Sequence, residues 1–368
     1  ADEVGILMID IAGKYPITAA VIQEGKITWM LEQGADAQTR FPIGTLNELF
    51  IVIAVLQRIR AGELDLHAEG ITPHHSVTLH HLMTHTSGYG AARSWRALLF
   101  KQQTPLKQHH PAGGKWCYSK DNIALLRDML PPDYLQNRVF KPLGMHATTE
   151  TESTLEDMLK LVGELLAPGR VMTETDVMMM TTPHFQLHAA LPAMGYGFRL
   201  EDGVAWITSK TGGLWIAPEQ KTAIVALARG AFSGACRAAM RRLISAPSYE
   251  IVGDAPALRG GYYAPSPELL MNLPIWLSYG GGLTVGRQGT LNGQIDPMHK
   301  IKLTPTTQTN VFLLPNGSRV VIDDERVLIG LYELHRRPWL HSLGGKLSIF
   351  TLLVFVIFLI FLLAIFNF

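Results

Sequence analysis

With only two cysteines, Cys117 and Cys236, the chain has no disulfide framework to hold it, so its stability must come from a packed core. Sequence does not show that the two meet, and a pair of buried thiols is favoured over a bridge. An excess of one charge is missing too: 32 Lys and Arg stand against 31 Asp and Glu, a formal net charge of +1. That balance leaves no global electrostatic case for nucleic acid as a partner. Charged residues of all kinds make up 17% of the chain, below the usual quarter or so. No zinc-type Cys/His spacing and no glycine-rich phosphate loop occurs, so neither a metal nor a cofactor is expected. Apolar residues, by contrast, reach 47%, and 368 residues suffice for two domains plus an appendage.

The longest apolar run is at the C-terminus. Leu347 to Phe368 carries no charge and is broken only by Ser348, Thr351 and Asn367. At about 1.5 Å per helical residue it spans roughly 30 Å of hydrocarbon, so it reads as a single transmembrane helix. Arg336, Arg337 and Lys346 precede it and nothing charged follows, which taken alone puts the large domain in the cytoplasm. Against that, the chain starts at Ala1 almost directly on a strand-like segment, as a processed secretory product would. A single-pass protein with its large domain on the periplasmic or extracellular side is the expectation.

Around Phe41-Pro42-Ile43-Gly44-Thr45-Leu46-Asn47-Glu48-Leu49-Phe50 the pattern changes from an extended approach to a glycine hinge and then a helix. Ile51 to Leu56 continue it without a polar face, so this helix belongs in the middle of a domain, and Gly62 is a plausible stop. Thr45 then sits at the positive end of a buried helix, a place where nucleophiles are presented. Upstream, Gly5 to Ile11, Thr18 to Gln23 and Ile27 to Leu31 read as strands, the last two joined by a turn at Gly25-Lys26.

The stretch resembles the nucleophile segment of the serine β-lactamase and penicillin-binding-protein family, in its class C and D-alanyl-D-alanine carboxypeptidase branch. There it reads Phe-x-Ile-Gly-Ser-x-x-Lys, followed by a hydrophobic helix and a Gly-x-Leu-x-Leu turn. Phe41, Ile43, Gly44 and Gly62-Glu63-Leu64-Asp65-Leu66 keep that pattern, while Thr45 replaces the serine and Glu48 the lysine. Thr78 to Gly88 is close to the family's Thr-x-x-x-Leu-Leu-x-His-Thr-Ser-Gly. The resemblance implies that His85 is a packing residue, although His80, His81 and His85 also invite a metal hypothesis. Tyr118-Ser119-Lys120 stands where the family has Tyr-Ser-Asn, its tyrosine moving the nucleophile's proton and its asparagine binding the substrate amide. Lys120 has donors only and cannot mimic an amide. Phe140 to Met145 matches a Pro-Leu-Gly-Met turn, and Gly195-Tyr196-Gly197-Phe198 resembles the Tyr-Gly-x-Gly strand. Ser209-Lys210-Thr211-Gly212-Gly213 resembles the third motif, which the family places on an edge strand where it binds a substrate carboxylate, with Thr222 to Ala228 pairing behind it. A helix from about Gly234 to Ile244 would close this part.

Thr45, Glu48 and Tyr118 are therefore the candidate catalytic positions, and Ser119, Lys120, Lys210, Thr211 and Gly212 the candidate binding positions. Glu48, one turn on from Thr45, faces the same way. A carboxylate with an ordinary pKa near 4.3 is a weak base for a hydroxyl proton unless burial raises that value. The other reading pairs Glu48 with Lys120 or Lys210 in an inactive cleft. Beyond Pro247, Gly261 to Tyr263, Trp276 to Tyr279, Leu283 to Val285, Asn310 to Leu314 and Ser318 to Ile322 are short β-like runs separated by turns.

The expected architecture is α/β (α+β): a β-lactamase/transpeptidase-like domain over 1–246 with an antiparallel sheet and a helical subdomain, a small antiparallel β-domain over 249–335, and a transmembrane helix over 347–368. The expected role is that of a catalytically degenerate, membrane-anchored binding, scaffold or regulatory subunit of the cell envelope. Its partners would be the membrane through the C-terminal helix, a membrane protein, and a peptide or cell-wall-like ligand. The alternative is an active peptidase, esterase or amidase using Thr45.

Overall fold

The computed structural model describes residues 16–90, 106–228, 243, 250–252, 258–265, 282–293, 300–338 and 354. Strands expected at Gly5 to Ile11 and Trp276 to Tyr279, the helix from about Gly234, and Cys236 lie outside them, as does Leu347 to Phe368 apart from Val354. Among the described residues no helix is long and apolar enough to cross a membrane. The chain divides into two compact units, the first holding most of residues 1–248 and the second residues 249–368 together with 90–109 and 187–191.

In the first unit, β1 (Ile17–Gln23) and β2 (Lys26–Gln33) form the expected hairpin. Its turn residues Glu24 and Gly25 both have positive φ, +51° and +74°, which matches the right-handed twist of the strands on either side. Next come β3 (Phe41–Pro42), a single 3-10 turn over Gly44–Leu46, and the buried helix α1 (Asn47–Arg60). Then follow α2 (Leu79–Met83), α3 (Lys120–Asp128), α4 (Lys141–Leu143), β4 (Glu152–Ser153), α5 (Leu155–Leu166) and α6 (Glu174–Thr181). The remaining strands are β5 (Phe185–Gln186), β6 (Ala193–Met194), β7 (Arg199–Glu201), β8 (Val204–Thr208), β9 (Gly212–Ala217) and β10 (Thr222–Ala228).

Eight of these strands make one antiparallel sheet in the order β2-β1-β10-β9-β8-β7-β6-β5. Every residue of β9 and β10 is buried, so these strands read as continuous apolar runs and not as alternating ones. Ile17, Ala19 and Val21 of β1 join Trp215, Ile224 and Ala226 in one core, and α5 packs against β1 and β10.

Leu49 to Leu56 of α1 are all buried, each side chain adding about 1.5–3 kcal/mol. Phe50 meets Phe140 edge-on, with ring centres 4.9 Å apart. Two glycines let the chain close around the N-terminus of this helix. Gly44 has a φ of +50°, and a Cβ there would lie 3.2 Å from Ser209 Cβ. A Cβ on Gly212 would lie 2.9 Å from both Leu46 and Leu227.

The second unit is a nine-stranded antiparallel sheet. Its strands are β11 (Gly261–Pro265), β12 (Leu283–Gly286), β13 (Thr290–Gly293), β14 (Lys300–Lys302), β15 (Thr304–Pro305), β16 (Val311–Leu313), β17 (Arg319–Ile322), β18 (Arg326–Ile329) and β19 (Tyr332–Arg337). Their order is β14-β13-β12-β11-β19-β18-β17-β16-β15. The two ends of that order, β14 and β15, are joined through Leu303 alone, which curls the sheet into a barrel-like form around Tyr263, Val285, Phe312, Val320 and Leu334. On its other side, Leu187, Ala190 and Leu191 cover Val311, Val321 and Leu328.

Candidate functional site

Ile43 N donates to Thr151 O at 3.0 Å, anchoring the approach to the 3-10 turn that presents Thr45. Glu48 follows in the first turn of α1, where a carboxylate complements the helix dipole. Thr45, Glu48, His85 and Tyr118 line one side of a cleft of about 230 Å³, and Trp116, Arg199 and Trp206 another. Thr45, Glu48 and Tyr118 thus come together as their positions in the sequence imply.

Glu48 is only 5% exposed. Tyr118 Oη donates to its Oε1 at 2.5 Å, a short charge-assisted hydrogen bond. His85 Nε2 lies 3.5 Å from its Oε2. The expected pairing with Lys120 or Lys210 does not form: Tyr118 and His85 take those places, and both lysines are exposed.

His85 itself is fixed from behind. Its Nδ1 lies 3.4 Å from the Ser119 backbone N and 3.1 Å from Asn122 Nδ2. A backbone N–H can only donate, so Nδ1 accepts and the ring proton is on Nε2, aimed at Glu48. Ser87 Oγ donates to Asn122 Oδ1 at 2.7 Å and so sets the direction of that amide. His85 also has a φ of +55°, uncommon for a residue with a side chain, and its carbonyl accepts from Cys117 N at 2.9 Å. The resemblance alone cast His85 as a packing residue, whereas it reaches the buried carboxylate.

Burial raises the Tyr118 pKa far above the ordinary tyrosine value, and the charge of Glu48 and its hydrogen bond add to this. The Thr45 hydroxyl and the Arg199 charge pull the other way and are outweighed. A unit charge about 4 Å away is worth on the order of 4 kcal/mol at an effective dielectric near 20. Exchanging a cation for an anion at position 48 therefore reverses a large effect. It turns a phenol that a lysine would help to ionise into a firm proton donor.

The candidate binding positions fall elsewhere. Ser119 caps α3, its Oγ accepting from Asp121 N at 3.1 Å, and that cap sets Lys120 on the helix surface away from the cleft. The Ser209 to Gly212 segment is a turn between β8 and β9, with Ser209 N donating to Gly212 O at 2.7 Å. Sequence places this motif on an edge strand, but β8 and β9 are interior, because β7, β6 and β5 extend the sheet beyond them. The turn packs behind Gly44, and among the described residues it is Trp206, Ile207 and Thr208 of β8 that reach the cleft from this part of the chain. No lysine lines it.

Arg199 is a residue that sequence reasoning missed. Its guanidinium carbon lies 4.8 Å from the Trp116 ring centre and 5.2 Å from that of Trp206. One signal was present: Tyr196-Gly197-Phe198-Arg199 puts an arginine where the resembled Tyr-Gly-x-Gly ends in glycine.

His80 and His81 are held by hydrogen bonds of their own. His80 Nδ1 bonds Tyr196 Oη at 2.8 Å, and His81 Nδ1 closes the capping box with Thr78. Among the described residues no three His, Cys, Asp or Glu side chains converge to hold an ion.

An antiparallel sheet with a buried helix that opens on a hydroxyl and faces a tyrosine defines the penicillin-binding-protein-like class of α/β fold. The beta-lactamase family model matches residues 16–246, and the chain belongs to that family. Among solved structures it is similar to an octameric penicillin-binding protein homologue from Pyrococcus abyssi, with a TM-score of 0.52 and 14% identity over 90% of this chain and 98% of that one. It is similar also to a penicillin-binding protein from Bacillus halodurans, with a TM-score of 0.53 and 20% identity over 66% of this chain and all (100%) of that one. A structure of SurE with D-Leu gives a TM-score of 0.55 and 17% identity, covering 91% and 99%. None of the curated proteins matches in sequence.

Proposed function

We propose that this beta-lactamase-family chain is catalytically degenerate and uses its cleft to bind a ligand, as a recognition, scaffold or regulatory subunit of the cell envelope. The observation that carries this is the 2.5 Å hydrogen bond from Tyr118 to Glu48. A tyrosine held neutral, with its pKa raised by burial and by Glu48, is a weak base for the Thr45 hydroxyl. General-base loss alone costs about 10² to 10⁴ in rate. The methyl group of Thr45 further restricts the hydroxyl that would attack.

The uncharged run from Leu347 to Phe368 supports a single membrane anchor, and the resemblance to a family that works outside the cytoplasm favours a periplasmic or extracellular large domain. On this reading the partners are the membrane, a membrane protein, and a peptide or cell-wall-like ligand, and nucleic acid is not among them.

Intact mass after incubation with a fluorophosphonate and, separately, a β-lactam tests the proposal. The expected result is no adduct with either reagent, and gain of an adduct on Thr45→Ser with Glu48→Lys. A wild-type adduct that disappears in Thr45→Ala would overturn it in favour of a threonine-nucleophile peptidase, esterase or amidase.

A further inference from the structure

The cleft holds one arginine and one glutamate that do not pair with each other. The Arg199 guanidinium carbon lies over the Trp116 and Trp206 rings, 4.8 Å and 5.2 Å from their centres. A guanidinium carries its N–H donors in a rigid planar fork, the geometry that binds a carboxylate in bidentate fashion. Among the described residues no hydrogen bond or ion pair uses those donors. Trp206 lies directly across the strand pair from Arg199, so the sheet register itself sets this ring beside the cation.

Glu48 presents the opposite charge. A carboxylate has about four acceptor positions. Here Tyr118 takes one on Oε1, and His85 approaches Oε2 at 3.5 Å. Acceptor capacity therefore remains on the cleft side, where a ligand ammonium group would find both a charge and a hydrogen-bond acceptor. The cleft volume of about 230 Å³ lies below the usual range for drug-sized ligands, roughly 300–1,000 Å³. Its indole, Met194 and Ile207 surfaces suit an apolar side chain.

We propose that this cleft is a receptor site for a small zwitterion, a free amino acid or dipeptide, whose carboxylate meets the edge of Arg199 and whose ammonium faces Glu48. This rests on the reading of the cleft as a binding site and adds the chemical class of its ligand.

Calorimetric titration of the full chain, in one buffer of fixed low ionic strength, compares alanine and phenylalanine of both hands and alanylalanine with their N-acetyl and carboxamide derivatives. The expected result is that at least one zwitterion binds tenfold or more tightly than its N-acetyl form, which lacks the cation, and its amide, which lacks the carboxylate. Arg199→Gln should then weaken the zwitterion about tenfold and leave the amide unchanged, while Glu48→Gln should weaken the zwitterion and leave the N-acetyl form unchanged. Melting curves confirm that the variants fold, and the wild-type comparison of blocked and free ligands needs no variant.

Equal affinity for blocked and free ligands, or no binding by any zwitterion, overturns the proposal. Mass analysis of the same samples separates the two readings. Release of ammonia from an amide, or a covalent adduct, would bring down the non-catalytic reading while the ligand preference stands. A missing zwitterion preference without turnover would bring down only the ligand class.

Discussion

Two glutamates in the first unit are buried to nearly the same degree, Glu164 at 4% exposure and Glu48 at 5%, yet they are satisfied in different ways. Glu164, near the end of α5, directs one oxygen at a ring of backbone donors. Its Oε1 accepts from Gly169 N at 3.1 Å, Arg170 N at 2.9 Å, Val171 N at 2.8 Å and Met172 N at 2.9 Å. These bonds lower its pKa despite the opposing effect of burial. Among the described residues Glu48 has no backbone donor and meets a phenol and an imidazole. The first carboxylate is a rivet for a loop, with its partners fixed by the main chain. The second is held by side chains and keeps room for a ligand. Burial alone does not distinguish a structural acid from a functional one; the nature of its donors does.

The comparison breaks most visibly at Glu164. Glu164→Ala leaves four N–H groups without their acceptor, and the cost should be about 3 kcal/mol, a fall in melting temperature on the order of 10 °C. Glu164→Gln keeps an oxygen and loses the charge, so about 1 kcal/mol is expected. Thermal unfolding followed by circular dichroism measures both. Equal melting temperatures for wild type and Glu164→Ala would mean that the loop does not depend on this carboxylate.

Acid should separate Glu164 from a half-buried group, His80. Burial, with His81, His184 and His67 nearby, pushes the His80 pKa from 6.5 down to about 4. Between those values the unfolded chain takes up a proton that the folded chain refuses. The His80 contribution is therefore complete above about pH 6.5 and lost as the pH falls toward 4. For a half-exposed side chain the loss, after screening, is about 1–2 kcal/mol. His81 and His184 shift in the same direction. Tyr196 faces His80 as a hydrogen-bond partner and carries no charge in this range, its pKa being pushed up to about 12. Glu164 acts later, since its lowered pKa keeps its contribution whole above 4.5 and removes it as the pH falls through the folded value. Melting temperature against pH should fall in two stages, the upper one flattened by His80→Gln and the lower one by Glu164→Gln. A curve that neither substitution alters would contradict both assignments.

Much of the scaffold was readable because its signals are local. An apolar run without a polar face gives α1, a turn signal at Gly25-Lys26 gives the β1–β2 hairpin one residue away from its actual Glu24-Gly25 turn, and helical spacing puts Thr45 and Glu48 on one face. The runs expected at Leu283, Asn310 and Ser318 appear as β12, β16 and β17. The chemistry of the cleft was less readable because it is assembled across the chain. Trp116 comes from a loop, Arg199 from β7 and Trp206 from β8, and no spacing in the sequence announces a cation near two indoles. Lys120 and Lys210 were the conspicuous cations by motif position, but a helix cap and a turn place both in solvent. Glu164 was equally silent, since an acid on an amphipathic helix reads as part of its solvent face until the loop that folds over it is known.

The smallest effect on stability, and the sharpest on the site, is expected at Glu48. Glu48→Gln preserves size and leaves an oxygen to accept from Tyr118, so the melting temperature should move by an amount equivalent to about 1 kcal/mol or less. The ionisation of Tyr118 should move much further. Its pKa is held up first by burial and then by the charge and hydrogen bond of Glu48. Removing that charge takes away one of the three upward causes, weakens the hydrogen bond to a neutral one, and leaves Arg199 and the Thr45 hydroxyl still pulling down, so the sign of the change is downward. Phenolate absorbance against pH, with Tyr118→Phe subtracted to isolate the one residue among 10 tyrosines, measures it. In the wild type Tyr118 should stay protonated until the fold itself gives way to alkali. In Glu48→Gln it should titrate earlier, within the folded range. If the two difference curves coincide, Glu48 does not control the tyrosine, and the contrast between a riveting glutamate and a cleft glutamate loses its electrostatic basis.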